Sequence, residues 1–200
     1  MYSKSLGILM VALFFYSTLA YATAPIDIIR TTADEVVAIL DNSGLSHDDK
    51  IDRLSAIAEK YFFFEEMSKR TLANHWKTRT FDEKKKFVFT YKEFLKKVYA
   101  EKIDNYSGEQ VIVSEQEIKD NYAIVRTQVM NPKKKKGTAV DYKMKLHSGN
   151  WKVYDIVVEG VSLIKNYRTQ FGEILKTSSF DALIKQLNDK IEGKFSQDIS

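Results

Sequence analysis

Between Ile103 and Gly160 the apolar residues of this chain change their period from about 3.6 to 2, and after Gly160 the longer period returns. A helix-period pattern does not settle in a sheet, nor the reverse, so a block of strands must lie between two blocks of helices. Segregation of this kind gives an α+β domain. In the first block Pro25 suits an opening helical turn, and Ile26, Ile29, Ala33, Val36, Val37 and Leu40 share a face until Asn42-Ser43-Gly44 stops the helix. Ser46 with Asp49, and Thr80 with Glu83, have the spacing of capping boxes and open two more helices. The first of these turns Ile51, Leu54, Ile57, Ala58 and Tyr61 inward. The second carries Phe87, Val88, Tyr91, Phe94, Leu95, Val98, Tyr99 and Ile103 on a face broader than one packing partner needs. A less regular helical segment, 64–76, lies between them.

Breaks at 119–121, 132–137 and 148–150 divide the middle block into four antiparallel strands in a meander. Val140, Tyr142, Met144 and Leu146 alternate with Asp141, Lys143, Lys145 and His147, which predicts one buried face and one wet one. The strands over 122–130 and 151–158 are apolar on both faces in places and need covering on both sides. Strict alternation puts Trp151, Val153 and Val157 on one face and Tyr154, Ile156 and Val158 on the other. Two helices follow, the first holding Ile164, Tyr167, Phe171, Ile174 and Leu175, the second Phe180, Leu183, Ile184, Leu187 and Ile191.

At the N-terminus Lys4 precedes an apolar run over 6–16, and Ala20-Tyr21-Ala22 offers an Ala-x-Ala cleavage site. This is the pattern of an export signal over 1–22, with a single mature domain over 23–200 beginning at Thr23. The apolar run falls short of the ~20 residues that span a bilayer. No cysteine occurs, which excludes a disulfide scaffold, a thiolate metal site, a cysteine nucleophile and an iron–sulfur carrier. An exported chain without disulfides is expected in a bacterial periplasm. The 31 basic and 27 acidic side chains leave a net charge of +4, too little for nucleic-acid binding. Lys133, Lys134, Lys135 and Lys136, between Pro132 and Gly137, form a basic hairpin tip, read either as a solvated loop or as a contact with anionic headgroups or an acidic partner.

Little of the sequence points to catalysis. His47, His75 and His147 lack metal-ligand spacing, so no metal is expected. Gly160-Val161-Ser162 is half of a nucleophile elbow, and its serine reads better as a helix N-cap. Asp155, on an otherwise apolar strand, is either a carboxylate of raised pKa acting as an isomerase-type base or a structural group paired with Arg126 or Arg168. Twenty aromatics over 23–200 supply bulky apolar surface, which fills a core or lines a cavity. Periodicity tells which side faces in, and nothing of the volume there.

The run Trp151-Lys152-Val153-Tyr154-Asp155-Ile156-Val157-Val158-Glu159-Gly160-Val161-Ser162-Leu163, with Asn166-Tyr167-Arg168 and Gln170-Phe171, resembles the signature of the MlaC or toluene-tolerance family. Phe64-x-x-Met67, Trp76, Phe87 through Tyr99 and Tyr106 extend the resemblance over most of the chain. Phe63 and Ala73-Asn74 depart from the family pattern. The resemblance implies a monomeric periplasmic phospholipid carrier, not an enzyme. Its implied fold is a nuclear-transport-factor-like cone, with helices packed on a curved four-stranded antiparallel sheet around an apolar cavity. Phospholipid is the implied ligand, with no cofactor, and a hopanoid is the alternative within the family. Implied partners are an outer-membrane lipoprotein associated with porin and the lipid-transfer subunit of an inner-membrane ABC transporter. On these inward faces the expected pocket residues are Val88, Tyr91, Leu95, Val98, Tyr99, Val125, Val129, Tyr142, Met144, Leu146, Trp151, Val153 and Val157.

Overall fold

A computed structural model describes residues 23–100, 103–133 and 137–194. Two helices open it. In α1 (Pro25–Asp41) the proline occupies the first turn, and α2 (His47–Tyr61) starts from a complete capping box. Ser46 Oγ accepts the Asp49 amide at 3.1 Å, and Asp49 Oδ2 accepts the Ser46 amide at 3.3 Å. The expected segment 64–76 is two helices, α3 (Phe64–Leu72) and α4 (Asn74–Lys77), because Ala73 between them takes φ 49° and ψ −116°. An alanine is held there only by its surroundings, since Cβ disfavours that region. Thr80 and Glu83 exchange the reciprocal hydrogen bonds of the second box at the start of α5 (Phe81–Ala100).

The middle block is a single sheet of five antiparallel strands in chain order: β1 (Gln110–Lys119), β2 (Tyr122–Met130), β3 (Thr138–His147), β4 (Asn150–Val158) and β5 (Val161–Ser162). The α+β class with helices on an antiparallel sheet is therefore as expected, with one strand more than the four predicted. That strand exists because Glu159 and Gly160 both have positive φ, 47° and 80°, a two-residue turn whose twist returns the chain onto β4. Ser162 then caps α6 (Leu163–Thr177) by accepting the Lys165 amide at 3.0 Å, and α7 (Phe180–Ile191) ends the described chain.

A bulge corrects the face assignment in β4. Met144 pairs with Val153 but Lys143 pairs with Asp155, which leaves Tyr154 as an extra residue. One extra residue exchanges the two faces beyond it. Trp151 and Val153 consequently share their face with Ile156, which pairs with Tyr142, and Val157 lies on the opposite face beside Asp141. The other face of β3 is also less wet than alternation predicts: Lys143 reaches Asp155 at 3.5 Å and Lys145 reaches Glu66 of α3 at 3.3 Å.

Two buried clusters result. One joins the sheet to α1 through Ile29, Ala123, Val125, Met144, Trp151 and Val153. The other, between α3, α5, α6 and α7, is built on rings. Tyr91 lies 6.4 Å from Phe94 and 5.8 Å from both Tyr167 and Phe171, and Phe171 meets Phe87 edge-on at 6.1 Å. Edge-to-face contacts at these separations are favourable beyond the area they bury. Here the broad face of α5 is met by solid core.

Candidate functional site

The broad face of α5 has a second half, toward α2, and there the packing stops. None of the apolar residues of α2 is fully buried, although Ile51, Leu54, Ile57 and Ala58 form its inward stripe. Three of them, Ile51, Leu54 and Ala58, border a cavity of about 250 Å³. Ile51, Leu54 and Ala58 make one wall, Leu95, Tyr99 and Ala100 of α5 another, and Phe62, Phe64, Met67, Ile156 and Leu163 close the inner end. Apart from the charged side chains and the Ser55 and Tyr99 hydroxyls, the first of which donates to the Ile51 carbonyl at 2.6 Å, the lining is apolar and offers dispersion contacts, which suits hydrocarbon.

Polar groups gather at its rim. Lys92 Nζ of α5 donates to Glu59 Oε1 of α2 at 2.7 Å and lies 3.6 Å from Glu93. One turn further on, Lys96 Nζ meets Asp52 Oδ1 at 3.3 Å. The hydrogen bond from Lys92, with its charge, holds the Glu59 carboxyl below its usual range, and the same bond raises the Lys92 ammonium.

Of the thirteen residues expected to form a pocket, the structure brings Leu95 and Tyr99 to this cavity. Tyr91 is fully buried among rings, its hydroxyl 3.4 Å from Thr71 Oγ1, and Val98 flanks the same helical core. Val125, Met144, Trp151 and Val153 are buried in the cluster that joins the sheet to α1, with Tyr142 and Leu146 packed against it. Val88 and Val129 are half-buried, and Val157 is buried on the far side of the bulge. The whole α2 wall was missed, although its stripe was legible, because nothing local distinguishes a stripe facing protein from one facing a space. Ile156 was missed because the bulge reverses its face.

Asp155 is a structural group. Its carboxylate accepts the Ser162 hydroxyl at 2.7 Å and the Ile164 amide at 3.1 Å, and Lys143 is its charged neighbour. Neither expected arginine reaches it: Arg126 pairs with Glu115 and Glu117, and Arg168 donates to the Arg70 carbonyl. The carboxylate thus ties β4 to the start of α6, where the helix dipole favours negative charge. Asp155→Asn should lower stability by about 1–3 kcal/mol, the scale of a buried acceptor lost from a satisfied network. Thermal unfolding followed by circular dichroism checks this, and an unchanged midpoint would contradict it.

His47 contacts Asp104, and the His147 ring lies 4.5 Å from that of Phe63, tilted by 36°. Among the described residues no three His, Cys, Asp or Glu side chains are grouped to hold a metal ion, and no helix is long and apolar enough to cross a membrane. Lys133 is exposed, while Lys134, Lys135 and Lys136 lie outside the described residues, as does the expected export signal over 1–22.

Comparison with known proteins gives three concordant findings. The sequence model of a family described as MlaC protein matches residues 30–189. A Haemophilus influenzae protein named intermembrane phospholipid transport system binding protein MlaC is 29% identical over 131 residues, 64% of this chain. The match spans 61% of that relative's own length. The fold is similar to that of a phospholipid-binding protein from Ralstonia solanacearum solved in complex with a phospholipid, with a TM-score of 0.76 and 22% identity. The likeness covers 86% of this chain and 98% of the other.

Proposed function

The chain belongs to the MlaC family, and from that premise we propose that it is a periplasmic carrier that takes up phospholipid acyl chains and moves lipid between the outer and inner membranes. Residues 1–22 are its export signal and 23–200 its single working domain. The partners at the two ends are an outer-membrane lipoprotein with porin and the lipid-transfer subunit of an inner-membrane ABC transporter. It transports lipid and does no chemistry on it. The names of the two relatives, one a binding protein of a phospholipid transport system and the other solved with a phospholipid, support this reading.

The observation that carries it is the apolar cavity, one wall of which is a helix with no fully buried residue. Burying each methylene is worth ~0.8 kcal/mol relative to water, so two tails of about 30 methylenes gain on the order of 25 kcal/mol. That exceeds the ceiling of reversible binding. Against a bilayer, which is equally apolar, the exchange is close to neutral. Such a protein shields lipid in transit, and membrane partners drive loading and unloading.

The cavity must also widen. An apolar space of roughly 150 Å³ holds benzene, so 250 Å³ has room for on the order of ten carbons, about a third of two tails. The wall free to yield is α2, since it has no buried anchor.

Lipid carried through purification tests the proposal. Native mass spectrometry of full-length chain exported in a bacterial host should show bound two-tailed phospholipid, with extraction recovering about one per chain. A protein that leaves both measurements free of lipid would refute it.

A further inference from the structure

The rim ion pairs are arranged in a way that a merely stabilising pair does not require. Asp52 and Glu59 stand seven residues apart on α2, two turns along one face, and Lys92 and Lys96 four apart on α5, so two cross-links span the two helices at the cavity mouth. The backbone of α2 packs on α1 and touches β4, and these side chains tie it to α5. The carboxylates sit toward solvent, with Asp52 and Glu59 exposing 78% and 60% of their side chains, while Lys92 and Lys96 expose 28% and 37%. Released carboxylates would therefore return to water they already contact, whereas the lysines stay on the cavity rim, Lys92 with Glu93 of its own helix 3.6 Å away. Exposed ion pairs are weak and screened by salt, so a competing anion can take over either lysine.

We infer that Lys92 and Lys96 are a phosphate-recognising pair at the cavity mouth, held by Glu59 and Asp52 in this conformation and exchanged onto the phosphodiester of a lipid as α2 moves outward. The inference rests on the carrier reading and adds to it the side chains that recognise the phosphate. Hydrocarbon walls cannot tell one two-tailed lipid from another of equal tails, so discrimination must come from the rim. Lysine suits a phosphate as a mobile point charge with three donors. The same exchange couples recognition to opening, because a phosphate that captures both ammoniums removes the ties that hold α2 to α5. A lipid without phosphate leaves the ties in place.

The test presents full-length protein with vesicles containing equal amounts of phosphatidylglycerol and a diacylglycerol with the same tails, then measures bound lipid by mass spectrometry after re-isolation. Wild-type chain should favour phosphatidylglycerol by about ten-fold, the scale of one hydrogen bond to a charged group, and K92Q/K96Q should take the two nearly equally. D52N/E59Q, which keeps both lysines, should retain the preference and take up lipid faster. Its rate should not rise with salt, whereas the wild-type rate does. Circular dichroism establishes that both variants are folded. A preference that K92Q/K96Q keeps would overturn this inference and leave the carrier intact. Uptake of neither lipid by the wild-type chain would overturn the carrier reading and this inference together. Millimolar inorganic phosphate should weaken the wild-type preference no more than sodium chloride of equal ionic strength does; a larger loss would mean that the pair serves free anions and that the assignment to lipid is wrong.

Discussion

Ala58→Trp should strip the protein of lipid while leaving it folded, lowering the lipid recovered per chain by roughly ten-fold or more. Ala58 is on the α2 wall, half-buried, and its methyl borders a space of about 250 Å³. An indole there extends into that space and meets little resistance, because overpacking costs arise where side chains already touch. The tails then lose the contacts that distinguish the cavity from water. Val153→Trp tests the opposite case: Val153 is fully buried in the sheet cluster and bridges to Phe62, so a larger ring there should destabilise the fold and give no clean reading on lipid. Lipid extraction and thermal unfolding on the same preparations separate the two outcomes. Undiminished lipid in a folded Ala58→Trp protein would place the tails elsewhere.

Phe171→Ala should be the most damaging of the single substitutions considered. The ring is fully buried and touches Phe87, Tyr91, Phe94 and Tyr167, which belong to the two helices α5 and α6. Truncating a core phenylalanine costs about 3–5 kcal/mol, the sum of lost transfer energy and an unfilled hole. For a domain of this size that lowers the melting midpoint by roughly 6–20 °C. The effect on lipid should be indirect, because α5 bears both the rings and Leu95 of the cavity wall. A midpoint shift below about 2 °C would mean that the ring cluster is not the part of the fold that sets its stability. The contrast with Ala58→Trp follows from packing: one face of α5 is filled and rigid, the other is open.

The stretch from Trp151 to Leu163 is dense in structural devices. Within it lie a bulge at Tyr154, the turn at Glu159-Gly160, the Ser162 cap, and the carboxylate of Asp155 that binds both the cap hydroxyl and the Ile164 amide. Each device orients α6 against β4, and through Ile156 and Leu163 the same stretch supplies the inner end of the cavity.

Element types were readable from order alone, since a hydrophobic period of 3.6 or 2 is a local property of the chain. So were the caps at Ser46, Thr80 and Ser162, where donor and acceptor lie three residues apart. The bulge was not, because its extra residue is defined only by what β3 offers opposite it. That single residue moved Ile156 to the cavity side and Val157 away from it. Nor was the position of the cavity readable: α2 and the outer half of α5 present stripes like any other, and the gap between them depends on how far apart distant elements come to rest. Sequence determines which side of a helix avoids water; only the tertiary arrangement determines whether that side meets another side chain or a space, because volume is a property of several elements at once.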